Sequence, residues 1–258
     1  AASDVYKRQV ISLTISALIV IGGIGFLTWD DVRTNRLHFH RYRLQSKVIL
    51  TSTALLILLP TLYFFFFEFK GVTPQERLLL SLFQSITPRT AGFNTADYTS
   101  LSSSGRGLTI LLMFIGGSPG STAGGIKTTT IAVLVANAFA VFRRQKSPEM
   151  FGRRMEEKAV HDAAAIFTLY LVLSLTGAFT ISTVEGLPLS ECLFETTSAI
   201  ATVGLSLGLT PHLGIVSQGI LIFLMFIGRV GGLTMIYAAL SGSKSSVARL
   251  PQERITVG

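Results

Sequence analysis

Two tetrapeptides, Thr90-Ala91-Gly92-Phe93 and Thr202-Val203-Gly204-Leu205, carry the residue types that a dehydrated cation needs. Glycine reaches positive φ without penalty, so successive backbone carbonyls can turn toward one axis and replace the hydration shell of a small ion. A lone Thr-x-Gly is a common turn tripeptide. These two stand 112 residues apart, each behind a short apolar segment, 78–86 and 187–200, and that agreement favours a filter role for both.

A third stretch, MFIGGSPGSTAGGIKTTT, admits three chemistries. A phosphate cradle needs G-x-x-x-x-G-K-[ST], but Ile126 stands before Lys127. Gly116-Gly117-Ser118-Pro119-Gly120 matches the G-x-S-x-G nucleophile elbow, which needs a strand before it and a histidine base in reach. A long apolar run precedes it instead, and His38, His40, His161 and His212 lie outside the apolar runs. The remaining reading is a broken membrane helix. Pro119 lacks an amide donor, so 108–115 and 128–142 become half-helices joined by irregular chain through Ser121, Thr122, Ala123, Gly124 and Gly125. Ser118, Ser121 and Thr122 are expected to satisfy the stranded backbone groups, and Lys127 to snorkel.

Arg229 falls inside the apolar run 216–240. An arginine at that depth costs about 2.5–3.5 kcal/mol on insertion scales and therefore faces a cavity or a partner, the alternative being a snorkelling residue at a helix end. Glu195 and Asp97 read as acids that raise the local cation concentration at the mouth or, equally, as solvated outer-face acids or caps, with no catalytic role. Cys192 is the single cysteine, and no CxxC or histidine pair has ligand spacing, so neither a disulfide, a bound cofactor nor a structural metal is expected.

The elements that hold these residues follow from hydropathy. Of 258 residues 49% are hydrophobic and 14% charged, with a mean hydropathy of +0.55, which is membrane chemistry. Charge-free runs at 10–29, 48–67 and 163–184 are long enough to cross a bilayer; 108–142 and 216–240 are spans interrupted by the glycine loop and by Arg229. The pieces 78–86 and 187–200 are too short and read as re-entrant. The opening AASDVYKRQ does not resemble a signal peptide.

The net charge of +8 is a matter of topology. Arg33, Arg36, Arg41, Arg43 and Lys47 fill one link, Arg143, Arg144, Lys146, Arg153, Arg154 and Lys158 another, and Lys244, Arg249 and Arg254 follow the last span. The positive-inside rule makes all three cytoplasmic, and no nucleic-acid partner is implied.

One register relates the two halves. Val48 pairs with Val160, and Met113-Phe114-Ile115-Gly116 with Met225-Phe226-Ile227-Gly228, at the same offset as the two Thr-x-Gly turns. Ile21-Gly22-Gly23 echoes Ile115-Gly116-Gly117, so the first span reads as the tail of a preceding unit. The units are parallel, unlike the inverted repeats of many secondary transporters. A secondary transporter with discontinuous helices is the alternative that inverted repeats would favour, and an intramembrane hydrolase the one that a span-embedded histidine would favour.

SITPRTAGFNTADYT, MFIGGSPGSTAGGIKTTT and MFIGRVGGLT resemble the Trk/Ktr/HKT superfamily of potassium transporters, most closely the bacterial Ktr membrane subunit. The resemblance implies an all-α membrane protein of span, re-entrant pore-loop and span repeats, half of a pseudo-tetrameric cation pore. Residues 1–46 would be the last helix of the second repeat plus a cytoplasmic link, 47–159 the third repeat, and 160–258 the fourth repeat and tail. It implies K⁺ as the transported ion with Na⁺ as a second candidate in symport, a multi-pass protein of the bacterial inner membrane, and an intramembrane gate loop, 116–125, below the filter. Arg229 would line the pore near that loop as an electrostatic barrier to cation passage. Partners implied are the lipid bilayer, a second copy in a homodimer, and a cytoplasmic nucleotide-binding regulatory ring docking on the links 30–47 and 143–161. The likeness of RLPQERITVG to that subunit's C-terminus implies a shared chain end, while the first repeat and the second repeat's filter have no counterpart here.

Overall fold

The computed structural model describes residues 2–231 apart from Leu37 and Lys146, with side chains from residue 9 onward. Lys146, Lys244, Arg249, Arg254, the end of the last predicted span and the tail of the fourth repeat lie outside the described residues.

Helices α1 (Ala2–Ile24) and α2 (Phe26–Asn35) meet at 92°. The continuous span expected at 10–29 is therefore corrected to an elbow. Its cause is Gly25, whose φ of +89° leaves the right-handed region and ends the helical ladder. The freed groups find partners elsewhere, as shown below.

The first of the two similar units in this chain starts with α3 (Leu44–Tyr63), which carries Pro60 and runs through a widened turn, Phe64–Glu68, to form one apolar span of 25 residues. Helix α4 (Pro74–Ile86) begins with proline at its first turn, where the missing amide costs nothing, and packs back on α3. Helices α5 (Ser103–Phe114) and α6 (Thr128–Phe142) are the expected half-helices, separated by the glycine loop. The link after α6 holds a small antiparallel hairpin, β1 (Glu149–Met150) and β2 (Arg153–Arg154), over Phe151 and Gly152, both at positive φ. This ribbon is a minor departure from an all-helical chain.

The second unit repeats the plan. Helix α7 (Glu157–Glu185) spans and ends on Gly186 in the left-handed cap conformation; α8 (Leu189–Ile200) packs against it, and α9 (Ile215–Val230) packs on both. One core, with Ile126, Tyr170, Ile181, Ile200 and Leu224, joins the end of the glycine loop to the second unit; another, with Tyr98, Met113, Phe194 and Leu205, joins the two units beside the Thr-x-Gly turns. Leu59, Phe142, Phe179 and Ile215 stay exposed on apolar helices.

A shared capping device reveals the repeat in three dimensions. The Glu68 carboxylate, at the end of the first span, accepts from the amide and hydroxyl of Ser102 just before α5. Glu185, at the end of α7, accepts from the Gly214 amide at 2.9 Å and the Ser217 hydroxyl at 2.5 Å at the start of α9. Each carboxylate satisfies orphan donors at the positive end of a helix.

Candidate ion path: two glycine turns over a glycine loop

The short helices α4 and α8 end at the two Thr-x-Gly turns. Both turns have the same unusual backbone: Thr90 at φ +62° with Gly92 at +72°, and Thr202 at +54° with Gly204 at +89°. Left-handed backbone at a β-branched residue is a true outlier, costing about 1–3 kcal/mol, and it persists only where the surroundings enforce it. Here they do. The Ala91 and Gly92 amides reach the Thr87 carbonyl, Thr87 Oγ1 donates to the Phe93 carbonyl at 2.6 Å, and the Val203 amide donates to the Ser198 carbonyl at 2.9 Å.

The turns abut. Gly92 lies against the Val203 carbonyl and Gly204 with no room for a Cβ, whereas a Cβ on Gly204 would come no nearer than 3.9 Å to Gly92. Val203 and Leu205 are buried, Ala91 is half-buried and Phe93 is exposed, so the two expected filter segments are brought together but sit in unequal surroundings.

The glycine loop lies directly against the fourth-repeat turn. Gly124 packs on Thr202 with no space for a side chain, and a Cβ on Gly125 would be 3.3 Å from the Ala201 carbonyl. Its two ends are stitched together: Ile115 and Ile126 form a parallel bridge, Gly116 N–H donates to Ile126 at 2.8 Å, and Thr128 N–H donates to Gly117 at 3.1 Å. Ser118 Oγ sits 3.1 Å from Thr128 Oγ1, and Ser121 Oγ donates to the Ser118 carbonyl at 2.6 Å, so these serines satisfy local polar groups. Ser118 meets a threonine and no histidine, which leaves the hydrolase reading without its base.

The elbow between α1 and α2 completes the loop. Ser118 N–H donates to the Gly23 carbonyl at 2.9 Å, and Phe26 N–H donates to the Gly120 carbonyl at 3.3 Å. A Cβ on Gly25 would stand 2.6 Å from the Pro119 carbonyl, so the elbow needs glycine for contact as well as for φ.

Two cations hold successive loop carbonyls. Arg229 Nη1, from α9, donates to the Thr122 carbonyl at 3.3 Å. Lys127 Nζ donates to the neighbouring Ala123 carbonyl; the expectation that Lys127 snorkels is corrected, because an acceptor lies one turn away. A cavity of about 620 Å³ is lined by Thr202, Gly204 and Ser206, by Met225 and by Arg229, so the guanidinium and the second Thr-x-Gly turn share one space.

The acids are structural. Glu195 is buried and accepts from Ser206 Oγ, Leu207 N–H and Thr210 Oγ1, each at 2.8 Å, pinning the chain that leaves the turn. It is not a solvated mouth residue. Asp97 caps the short turn Tyr98–Ser100, and the Thr99 amide, 2.9 Å away, holds its exposed carboxyl below the usual carboxylate range.

Sequence reasoning passed over four contributors. Gly25 was concealed inside an unbroken apolar run. Glu68 and Glu185 were obscured because they stand 117 residues apart, out of register with the 112-residue offset. Arg89, directly before the first turn, is buried and donates to Thr53 Oγ1 at 3.3 Å; its signal was visible in SITPRTAGF.

Paired units of span, re-entrant helix, glycine turn and second helix, one of them interrupted by an intramembrane loop, define a pore-loop membrane protein. The particular family is set by comparison. The sequence model described as TrkH, cation transport protein, matches residues 4–247, and the chain belongs to that family. It is 39% identical over 260 residues to the potassium/sodium uptake protein NtpJ of Enterococcus hirae, covering 95% of this chain and 57% of that protein. It is 36% identical over 254 residues to the Ktr system potassium uptake protein B of Bacillus subtilis, covering 96% and 57%. The crystal structure of the potassium transporter TrkH from Vibrio parahaemolyticus shares the fold, with a TM-score of 0.74 at 19% identity over 89% of this chain and 52% of that one. The chain thus spans about half the length of the relatives it matches. Among the described residues two helices are long and apolar enough to cross a membrane, or three if the bent pair is one span, in keeping with a membrane protein.

Proposed function

We propose that this chain contributes the third- and fourth-repeat side of a potassium-uptake pore. The observation that carries the reading is the twin backbone of the two turns, threonine and glycine both at positive φ, in direct contact. Carbonyls of Thr90, Ala91, Gly92 and Phe93, and of Thr202, Val203, Gly204 and Leu205, form two sides of a filter that replaces the water of K⁺, with Na⁺ as the alternative or accompanying ion. The resemblance supplies the other two sides from preceding repeats.

Below the filter the loop 116–125 obstructs the path. Thr122 and Ala123, tethered to Arg229 and Lys127, fix the closed position, and the Arg229 charge opposes a cation leaving the cavity. The chain acts in the bacterial inner membrane as one subunit of a homodimer, and the basic links 30–47 and 143–161 dock a cytoplasmic nucleotide-binding regulator. The relatives named as potassium uptake proteins support this reading.

The test is Gly92→Asp in the full-length protein, expressed in a strain that lacks its own K⁺ uptake. Growth at low K⁺ is expected to be lost while the protein stays in the membrane. Normal, K⁺-selective uptake by that variant overturns the filter assignment.

A further inference from the structure

A groove between α3 and α6 stands apart from the ion path. It encloses about 470 Å³, with Leu55 and Leu56 on one wall and Ile131, Val135 and Phe139 on the other. Leu55, Val135 and Phe139 are 51%, 49% and 59% exposed, so this apolar surface has no cover of its own among the described residues. One end of the groove is at Ile115 and Thr128, the two residues that flank the gate loop; the other is at Arg143 and Glu149, beyond the C-terminus of α6.

The dimensions fit one membrane leaflet. Helix α6 has 15 residues, about 22 Å at 1.5 Å per residue. Half a bilayer, from midplane through the headgroup layer, is about 20–22 Å. With Thr128 near the midplane, Arg143 and Glu149 stand at headgroup depth.

The rim chemistry narrows the occupant. Arg143 and Glu149 make no side-chain hydrogen bond or ion pair with the described residues, so a guanidinium and a carboxylate both face the groove mouth uncommitted. A phosphate matches the guanidinium, and a primary ammonium matches the carboxylate. A headgroup with phosphate alone would set its charge against Glu149.

We infer that this groove binds a phosphatidylethanolamine molecule, its phosphate on Arg143, its ammonium on Glu149, and one acyl chain reaching Ile115 and Thr128. The chain end then props the two residues from which the gate loop springs, so headgroup binding at the cytoplasmic face is felt at the loop's base.

The test is native mass spectrometry of the full-length protein in mild detergent, offered phosphatidylethanolamine, phosphatidylglycerol or phosphatidylcholine at equal concentration. Phosphatidylethanolamine is expected to be retained about tenfold better than the others, the worth of one charge-assisted contact. Glu149→Gln, an exposed and conservative change, should erase that preference, and Ala132→Trp, which fills the groove, should abolish retention. Equal retention of phosphatidylglycerol by the unaltered protein overturns the headgroup assignment. Retention unchanged in Ala132→Trp, or a dimer that falls apart in it while lipid stays bound, overturns the site and points to a second copy in the groove. Lipid retention is read without any ion flux, so its failure is distinct from failure of the pore assignment.

Discussion

Arg229 Nη1 reaches across 107 residues of chain to donate to the Thr122 carbonyl. The bond ties the last helix of one repeat to the intramembrane loop of the other. It supplies both a tether and a charge.

Removing the tether should free the loop. A hydrogen bond to a charged group is worth about 1.5–3 kcal/mol, and the exposure of Arg229 argues for the lower end, roughly a tenfold shift toward the open loop. Arg229→Ala and Arg229→Gln should both raise basal K⁺ flux into vesicles, measured by isotope uptake. If Gln, which retains a donor, leaves flux at the original level while Ala raises it, the tether acts and the charge does not.

The two turn glycines, Gly92 and Gly204, should respond unequally to alanine. Both sit at positive φ, which costs an L-residue about 1–2 kcal/mol. Gly92 also has the Val203 carbonyl where a Cβ would go, whereas a Cβ on Gly204 would make only an ordinary contact with Gly92 at 3.9 Å. Gly92→Ala is expected to lower both thermal stability and K⁺ uptake, and Gly204→Ala to retain much of its stability. Equal losses of stability in the two variants would show that the turns do not abut as described.

Glu195 should behave as a structural pin. Its buried carboxylate takes three donors, so Glu195→Gln loses charge and misaligns at least one of them, at about 1.5–3 kcal/mol. That corresponds to roughly 3–12 °C in unfolding midpoint, read by intrinsic fluorescence in detergent. K⁺ uptake should fall through a loosened filter. A variant with unchanged midpoint but altered ion affinity would instead make Glu195 a mouth charge.

Much of the fold was written in local chemistry. Apolar runs predicted α3 and α7, Pro119 and its glycines predicted the break between α5 and α6, and one offset paired the two turns. What escaped was decided between segments. The elbow at Gly25 exists because the glycine loop supplies partners for Gly23 and Phe26, a fact absent from the hydropathy of 10–29. The turn of Lys127 inward depends on the Ala123 carbonyl, which only the folded loop presents. The buried setting of Glu195 likewise depends on Ser206, Leu207 and Thr210 folding back, where the sequence shows only an acid in an apolar helix.

The elbow also sets an order of assembly. The loop between α5 and α6 satisfies its Ser118 amide and Gly120 carbonyl on Gly23 and Phe26, groups from a helix made some ninety residues earlier. In hydrocarbon those loop groups have no water to turn to, so the loop settles only against a neighbour that is already in place. Synthesis from the N-terminus provides this: the first helix enters the membrane first, and its elbow and the later loop settle together once Gly23 and Phe26 meet Ser118 and Gly120.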